Sequence, residues 1–259
     1  SIPEVYSKKS APLWLISAFK AGFINSAGFL ATGRFVSHVT GFGTTVGVAV
    51  GHEDYFFGAE LLIIPISFIA GGVVTSLVLD KKYSSQEIPS YWKIQGLITL
   101  LILTVIILGE SHLINETEKF DVDNKFSLVE FIVIGILCFV CGLKNSLVTW
   151  SSFGKIKVTH LTGLSTDIGL NFLRLFKKDW YSPRFKEERK VNILRISTFI
   201  AFSSGALVSA ILFPKLLFKV FFIIFFLSFI MTIISLFDRF KWKKHLKSMQ
   251  SEASMIKNL

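Results

Sequence analysis

The sequence is poor in charged residues. Only 18% of its 259 residues are Asp, Glu, Lys or Arg, against about 25% in ordinary soluble domains. Acidic residues are the scarcer kind, with 18 Asp and Glu against 28 Lys and Arg. A hydrophobic fraction of 51%, including 27 phenylalanines, leaves too little polar surface for a water-soluble protein of this length. These figures exclude a soluble globular domain and a disordered chain, and they predict a polytopic membrane protein.

Cysteine is also nearly absent. Cys138 and Cys141 are the only two, and helical spacing places both on one face within an apolar run. Two cysteines exclude a disulfide scaffold, and the sequence around them supplies no partner ligands for a zinc or redox site. The chain also lacks a GxSxG, HExxH or Walker-type loop. We therefore expect no metal, no cofactor and no enzymatic activity.

Long apolar runs dominate what is present. A spanning helix needs about 20 mainly apolar residues. Six segments meet this requirement: 12–31, 57–79, 91–109, 127–149, 191–213 and 217–237. Two shorter and more polar stretches, 39–51 and 160–176, fit either a poor full span or a helix that enters the membrane only partway. The expected fold is all-α, with six transmembrane helices and two short re-entrant half-helices.

The positions of the basic residues favour this arrangement, because cytoplasmic loops are enriched in Lys and Arg. With both short stretches re-entrant, 19 basic residues lie on the inner side and 5 on the outer side. With both stretches fully spanning, the counts become 16 and 8. The sequence therefore predicts six spans with both termini in the cytoplasm.

The net charge of +10 would suggest a nucleic-acid partner in a soluble protein. Here the basic residues lie in loops and in the tail 238–259, beside apolar spans. Anionic headgroups attract such segments, so the lipid bilayer is the expected partner of this cytoplasmic tail and nucleic acid is not.

The chain also contains an internal repeat. Ala21–Ser26 recurs 120 residues later as Cys141–Ser146, with Gly and Asn at matching positions. Phe35–Gly41 recurs, at an offset of 122, within Ile156–Gly163. We divide the single membrane domain, residues 1–259, into repeat one (about 10–109) and repeat two (about 127–237). Three crossings per repeat is an odd number, so the second repeat is expected to be inverted relative to the first.

Each repeat carries a His-x-Thr-Gly turn at the start of its short helix. A helix N-terminus presents unpaired N–H groups and partial positive charge, so two such turns near the midplane would attract an anion. We expect Thr40 and Thr162 to cap these helices and the glycines to allow close backbone approach. Alternatively, Thr and Gly serve only helix packing. The candidate solute-binding residues are Asn25, His38, Thr40, Gly41, Thr44, Lys144, Asn145, His160, Thr162, Gly163, Thr166 and Asp167.

Charged side chains at membrane depth are costly and are usually paired or functional. Asp167 is the only acid well inside a candidate membrane helix. It is interpreted as a proton or cation carrier, or as the counter-charge of Lys144 or Lys20. The two histidines are interpreted either as proton carriers or as hydrogen-bond donors at an interface.

Both repeat blocks resemble the YoaK-type family, a group of bacterial membrane proteins named as a domain of unknown function. The resemblance is carried in the first half by Ala21-Gly22, Gly28-Phe29-Leu30 and Phe35–Gly41, and in the second by Gly142–Val148, His160–Gly163 and Thr166–Gly169. It implies a bacterial inner-membrane location and no assigned substrate. This sequence departs from the family pattern at Asn25, where relatives have an acid, and at Phe42, where they have Asn.

These features together favour a small secondary transporter or channel-like permease for a small polar or anionic solute. Its site would lie at the midplane between the two His-x-Thr-Gly turns. The alternative is a non-transporting membrane receptor or assembly factor in which the polar turns are structural. Assembly into a homo-oligomer is left open.

Overall fold

A computed structural model of the chain describes residues 10–83, 90–111, 127–154, 156–173 and 183–257. Within these ranges the chain is helical and forms no strand. The helices are α1 (Ser10–Thr32), α2 (Val39–Gly51), α3 (Tyr55–Glu60), α4 (Ile63–Tyr83), α5 (Tyr91–Glu110), α6 (Leu128–Ser151), α7 (Leu161–Phe172), α8 (Pro183–Leu216) and α9 (Phe221–Lys257). A 3-10 turn, Leu217–Val220, connects the last two helices.

Five stretches of the described chain are long and apolar enough to cross a membrane, so this is a membrane protein with transmembrane helices. They are Ala11–Thr32, Tyr55–Asp80, Tyr91–Glu110, Leu128–Ser151 and Glu188–Lys241. The last contains 54 residues, which would measure about 80 Å as one straight helix, against a hydrocarbon core of about 30 Å. It is broken at Leu217, whose φ of 48° is left-handed, so it consists of two helices.

The predicted span 57–79 is interrupted. Asp54 accepts a hydrogen bond from the Phe57 backbone N–H at 3.0 Å and so caps a separate short helix, α3. Leu61 and Leu62 then separate α3 from α4. Just before this cap the chain reverses at Glu53, where φ is 63°. Helix α3 therefore lies against the end of α2, near Ala49 and Val50, and leads through the hydrogen-bonded turn at Leu61 and Leu62 into α4.

The predicted stretch 160–176 is shorter as a helix, since α7 ends at Phe172. Its last three residues, 174–176, lie outside the described residues, as does most of the acidic segment 110–126. At the other end of the repeat, α9 continues through the predicted tail as far as Lys257. The tail's basic side chains after Lys241 belong to the part of the chain whose side chains are not described.

Close backbone contacts hold α1 against α8. A Cβ atom added at Gly22 would collide with the backbone oxygen of Phe202, and one added at Gly205 would collide with that of Phe19. Small residues at such crossings allow membrane helices to approach closely. The two helices are therefore in direct backbone contact at this crossing.

The crossing of α4 and α6 is built in the same way. A Cβ atom at Gly142 would collide with the backbone oxygen of Phe68, and one at Gly71 with that of Phe139. All four glycines stand at the end of a Phe-x-x-Gly sequence. Because α6 is the repeat counterpart of α1, equivalent helices make equivalent crossings. Helix α5 packs against α9.

The helices that precede the two half-helices also end alike. Gly33 has a φ of 68° and donates its backbone N–H to Phe29 O at 2.7 Å. Gly154 has a φ of 78° and donates to Thr149 O at 2.8 Å. A left-handed glycine after a helix satisfies one of its terminal carbonyls and redirects the chain. Each glycine therefore starts the loop that leads into a half-helix.

Candidate functional site

An asparagine on the long helix anchors the loop before each half-helix. The Asn25 side-chain oxygen accepts hydrogen bonds from both the backbone N–H and the hydroxyl of Ser37, at 3.1 and 2.8 Å. The Asn145 side-chain oxygen accepts one from the backbone N–H of Thr159 at 3.4 Å. Ser37 and Thr159 each directly precede the histidine of the turn. The two asparagines thus have a positioning role in the structure.

Each half-helix begins one residue after its histidine. His38 is the N-cap of α2, with φ and ψ of −98° and 72°, and His160 is the N-cap of α7, with −95° and 66°. Neither side chain caps its helix by a hydrogen bond. The prediction that Thr40 and Thr162 cap these helices is therefore wrong, because both lie inside the first turn. No N-cap side chain satisfies the first-turn N–H groups.

The glycine of each turn makes room for the histidine ring. A Cβ atom at Gly41 would lie 2.9 Å from His38 Nδ1, and one at Gly163 would lie 2.5 Å from His160 Cε1. Both distances are shorter than ordinary van der Waals contact. The glycines thus allow each imidazole to lie close over the first turn of its own helix.

The two turns, which are more than 100 residues apart in sequence, line one cavity of about 710 Å³. Its wall comes from α1, α2, α4, α6, α7 and α8 and from the loops before α2 and α7. The lining residues are Asn25, Phe35, Ser37, His38, Val39, Thr40, Phe68, Gly72, Thr75, Ser76, Asn145, Ser146, Thr149, Trp150, Lys157, Thr159, His160, Leu161, Thr162 and Phe202. Cavities of about 300–1,000 Å³ are typical small-molecule sites.

Half of the candidate residues meet in this cavity: Asn25, His38, Thr40, Asn145, His160 and Thr162. The other six lie outside its lining: Gly41, Thr44, Lys144, Gly163, Thr166 and Asp167. Thr44 is exposed on α2, and the Thr166 hydroxyl donates to the backbone oxygen of Thr162 at 3.1 Å. Five of these six residues belong to the half-helices, and Lys144 lies on α6.

Asp167 forms an ion pair with Arg195 on α8, with 3.0 Å between Oδ2 and Nη2. The interpretation of Asp167 as counter-charge of Lys144 or Lys20 is therefore wrong in this structure. The reason is packing, since α7 lies against α8, which presents Arg195 to it. The Asp167 side chain is 48% exposed, so the pair is not sequestered from the surroundings.

The two intramembrane lysines are buried elsewhere in the bundle. Lys20 is 0% exposed and donates from Nζ to Met231 Sδ at 3.6 Å. Lys144 is 1% exposed, and its Nζ has no hydrogen-bond partner among the described residues. Neither lines the cavity, because both side chains turn into the helix packing instead.

Several lining residues were not singled out from the sequence. Phe68 and Phe202 contribute aromatic walls, and Trp150 borders the cavity while its indole N–H donates to Asp80 Oδ1 at 2.7 Å. The Ser76 hydroxyl donates to the other oxygen of Asp80. One signal was available beforehand: Phe35 and Lys157 each precede a histidine by three residues, so aligning the repeats pairs them.

The cavity lining contains basic groups. Among the described residues, Lys157, His38 and His160 line it and no Asp or Glu does, while the Asp80 carboxylate lies behind the lining, bonded to Ser76 and Trp150. The N-terminal ends of α2 and α7, which carry partial positive charge, also face it. The cavity thus suits a polar or negatively charged molecule. Nowhere in the described part of the chain do three His, Cys, Asp or Glu side chains gather in a way that suits a metal ion.

No curated protein and no solved structure matches the chain. One family pattern matches it, over residues 13–234, and so spans both repeats and all six helices that contribute to the cavity. This match confirms the resemblance found in the two repeat blocks. The chain belongs to the family described as protein of unknown function (DUF1275).

Proposed function

We propose that this protein is a small secondary transporter or channel-like permease for a small polar or anionic solute. The observation that carries the proposal is the single cavity of about 710 Å³ lined by both His-x-Thr-Gly turns. A receptor or assembly factor that used these turns only for packing would be expected to fill the space between them. The open cavity, into which both turns bring polar groups, favours the permease over that alternative.

The proposed topology has six crossings, in two inverted repeats of three long helices, with α2 and α7 re-entrant. Helices of 13 and 12 residues rise about 20 and 18 Å, which is short of a core of about 30 Å. The chain reversal at Glu53 and the break at Leu217 support this count. We place the protein in the bacterial inner membrane, with both termini cytoplasmic, as its family and basic loops suggest.

In this arrangement the half-helix starts act together on the solute. Their free N–H groups and the Thr40 and Thr162 hydroxyls supply donors from the two repeats, while Asn25 and Asn145 hold the loops in place. Inverted-repeat transporters commonly bind solute between broken helices at the midplane and move one repeat against the other. The two repeats here would alternate in the same way around the cavity.

Permeation into proteoliposomes tests the proposal. Vesicles are exposed to hyperosmotic sodium methanesulfonate, glycerol or alanine, and re-swelling is followed by light scattering. We expect the wild-type protein to pass at least one of these solutes and a Thr40→Val/Thr162→Val double variant to pass none. Thr104→Val, on α5 and outside the cavity lining, is the control. Permeation that survives in the double variant contradicts the site, and no permeation above empty vesicles contradicts the function.

The topology has its own test. Single cysteines at His52 and Ser84, introduced into a chain lacking Cys138 and Cys141, are labelled with a membrane-impermeant maleimide in intact cells. Six crossings place position 52 outside and position 84 inside, so only the first is labelled. The reverse pattern would indicate eight crossings and parallel repeats.

A further inference from the structure

The cavity differs at positions that the repeat makes equivalent. Phe35 and Lys157 occupy the same place relative to the two histidines, and both line the cavity. Phe35 stacks on Phe29, with 4.4 Å between ring centroids, and meets the His38 ring edge-on at 5.8 Å. The first repeat therefore covers its side of the cavity with an aromatic cluster.

The second repeat leaves the equivalent side polar. Thr149 stands where the first repeat has Phe29, and Lys157 stands where it has Phe35. The Lys157 side chain is exposed at the cavity, and it forms no ion pair with any described residue. Its ammonium group is thus available to a molecule in the cavity.

One acidic residue, Asp80, is hydrogen-bonded to two residues of the cavity lining. Asp80 is not part of the lining, and its two carboxylate oxygens accept hydrogen bonds from Ser76 and Trp150. These bonds fix the Trp150 ring at the cavity wall. The cavity lining therefore contains both the unpaired ammonium group of Lys157 and an aromatic ring that Asp80 holds in place.

Part of the cavity lining is aromatic. Phe68, Phe202 and Trp150 contribute aromatic surface from α4, α8 and α6. Aromatic rings pack well against planar apolar groups, either stacked or edge-on. A small inorganic ion would leave this surface and most of the cavity volume unused.

We propose that the solute of this site is an organic anion with a planar apolar body, and that Lys157 is the residue that selects its negative charge. The anionic group lies near Lys157 and the half-helix starts, and the body lies between the phenylalanines. This inference rests on the proposed function, because it assigns a substrate class to the same cavity.

Binding to the purified full-length protein tests the inference with three probes of similar shape and permanent charge state. These are benzenesulfonate, benzyltrimethylammonium and the neutral benzamide, and binding is measured by calorimetry in detergent. We expect benzenesulfonate to bind at least about tenfold more tightly than the other two, a difference of about 1.4 kcal/mol. Lys157→Gln should remove most of that preference, and Lys157→Glu should reverse it towards the cation.

Lys215→Gln is the matched control, because Lys215 is an exposed lysine outside the cavity lining. It should bind benzenesulfonate as the wild type does. Equal binding of the three probes, no binding of any of them, or an unchanged preference in Lys157→Gln overturns the inference. None of these outcomes affects the proteoliposome result, where permeation of glycerol or alanine would uphold the permease without the organic anion.

Discussion

The two repeats agree in the residues that position and begin the half-helices, and they differ at other positions around the cavity. Asn25 and Asn145 each bind the loop that precedes a half-helix. His38 and His160 are each the N-cap residue of that half-helix, with nearly the same backbone angles. At other positions, however, the first repeat has Phe29 and Phe35 where the second has Thr149 and Lys157, and of these Phe35, Thr149 and Lys157 line the cavity. The shared residues place two helix starts at one cavity, and the residues that differ give this cavity two unlike sides.

The buried lysines also differ in position between the two repeats. Lys20 stands two residues before the crossing glycine of its helix, whereas Lys144 stands two residues after the equivalent glycine. Both are fully buried, yet they are not repeat counterparts. The glycine contacts between helices are thus the same in both repeats, whereas the buried lysines near them are in different positions.

The largest loss of stability is expected at the glycines where helices cross. Gly22→Ala and Gly142→Ala should each destabilise the protein by about 3 kcal/mol, because the new Cβ atom would overlap a neighbouring backbone oxygen. Thermal unfolding in detergent measures the loss. Gly47→Ala is the control, since its Cβ atom would meet nothing within 4 Å. If only one of the two variants were destabilised, the two helix crossings would not be packed equally closely.

A smaller and unequal effect is expected at the two asparagines. Asn25→Ala should cost about 2 kcal/mol and Asn145→Ala about 1 kcal/mol, because the first loses two hydrogen bonds and the second loses one longer bond. Chemical denaturation of both variants under the same detergent conditions measures the difference. An equal loss would mean that Asn25 and Asn145 stabilise their loops equally, in contrast to what the hydrogen bonds indicate.

The smallest effect is expected at Asp167, whose counterpart in the first repeat is Thr45. Asp167→Asn should lower the stability by about 0.5 kcal/mol, because partly exposed ion pairs contribute little. The loss should shrink further at high salt. Solute permeation should be unchanged in this variant. A loss of permeation would instead show that Asp167 takes part in solute binding or passage.

The sequence predicted most of the helices because apolar length is a local property. Segments 12–31, 91–109 and 127–149 agree closely with α1, α5 and α6. The break at Leu61 and Leu62 escaped prediction because apolar residues continue across it, and the Asp54 cap signals only where α3 begins. Hydropathy also gave no sign that Thr40 and Thr162 would lie inside their helices instead of at the caps.

The candidate site was predictable where the chain repeats itself and unpredictable where distant helices meet. Matching copies of Asn and of His-x-Thr-Gly indicated the residues that line the cavity from α1, α2, α6 and α7. Phe68, Phe202 and Trp150 gave no such indication, since phenylalanine is common throughout the chain and tryptophan is frequent at membrane interfaces. The partner of Asp167 depended on which helix packs beside α7.

The sequence by itself determined that the protein lies in a membrane, that it consists of helices and that one polar motif occurs twice. Composition, run length and internal similarity are enough for these conclusions, because lipid leaves the backbone little alternative to a helix. Only the tertiary structure decided that the two motifs share a cavity, that Arg195 pairs with Asp167 and that Lys157 lines the same cavity. These are contacts between residues far apart in the chain, and they depend on how closely the glycine crossings bring the helices together.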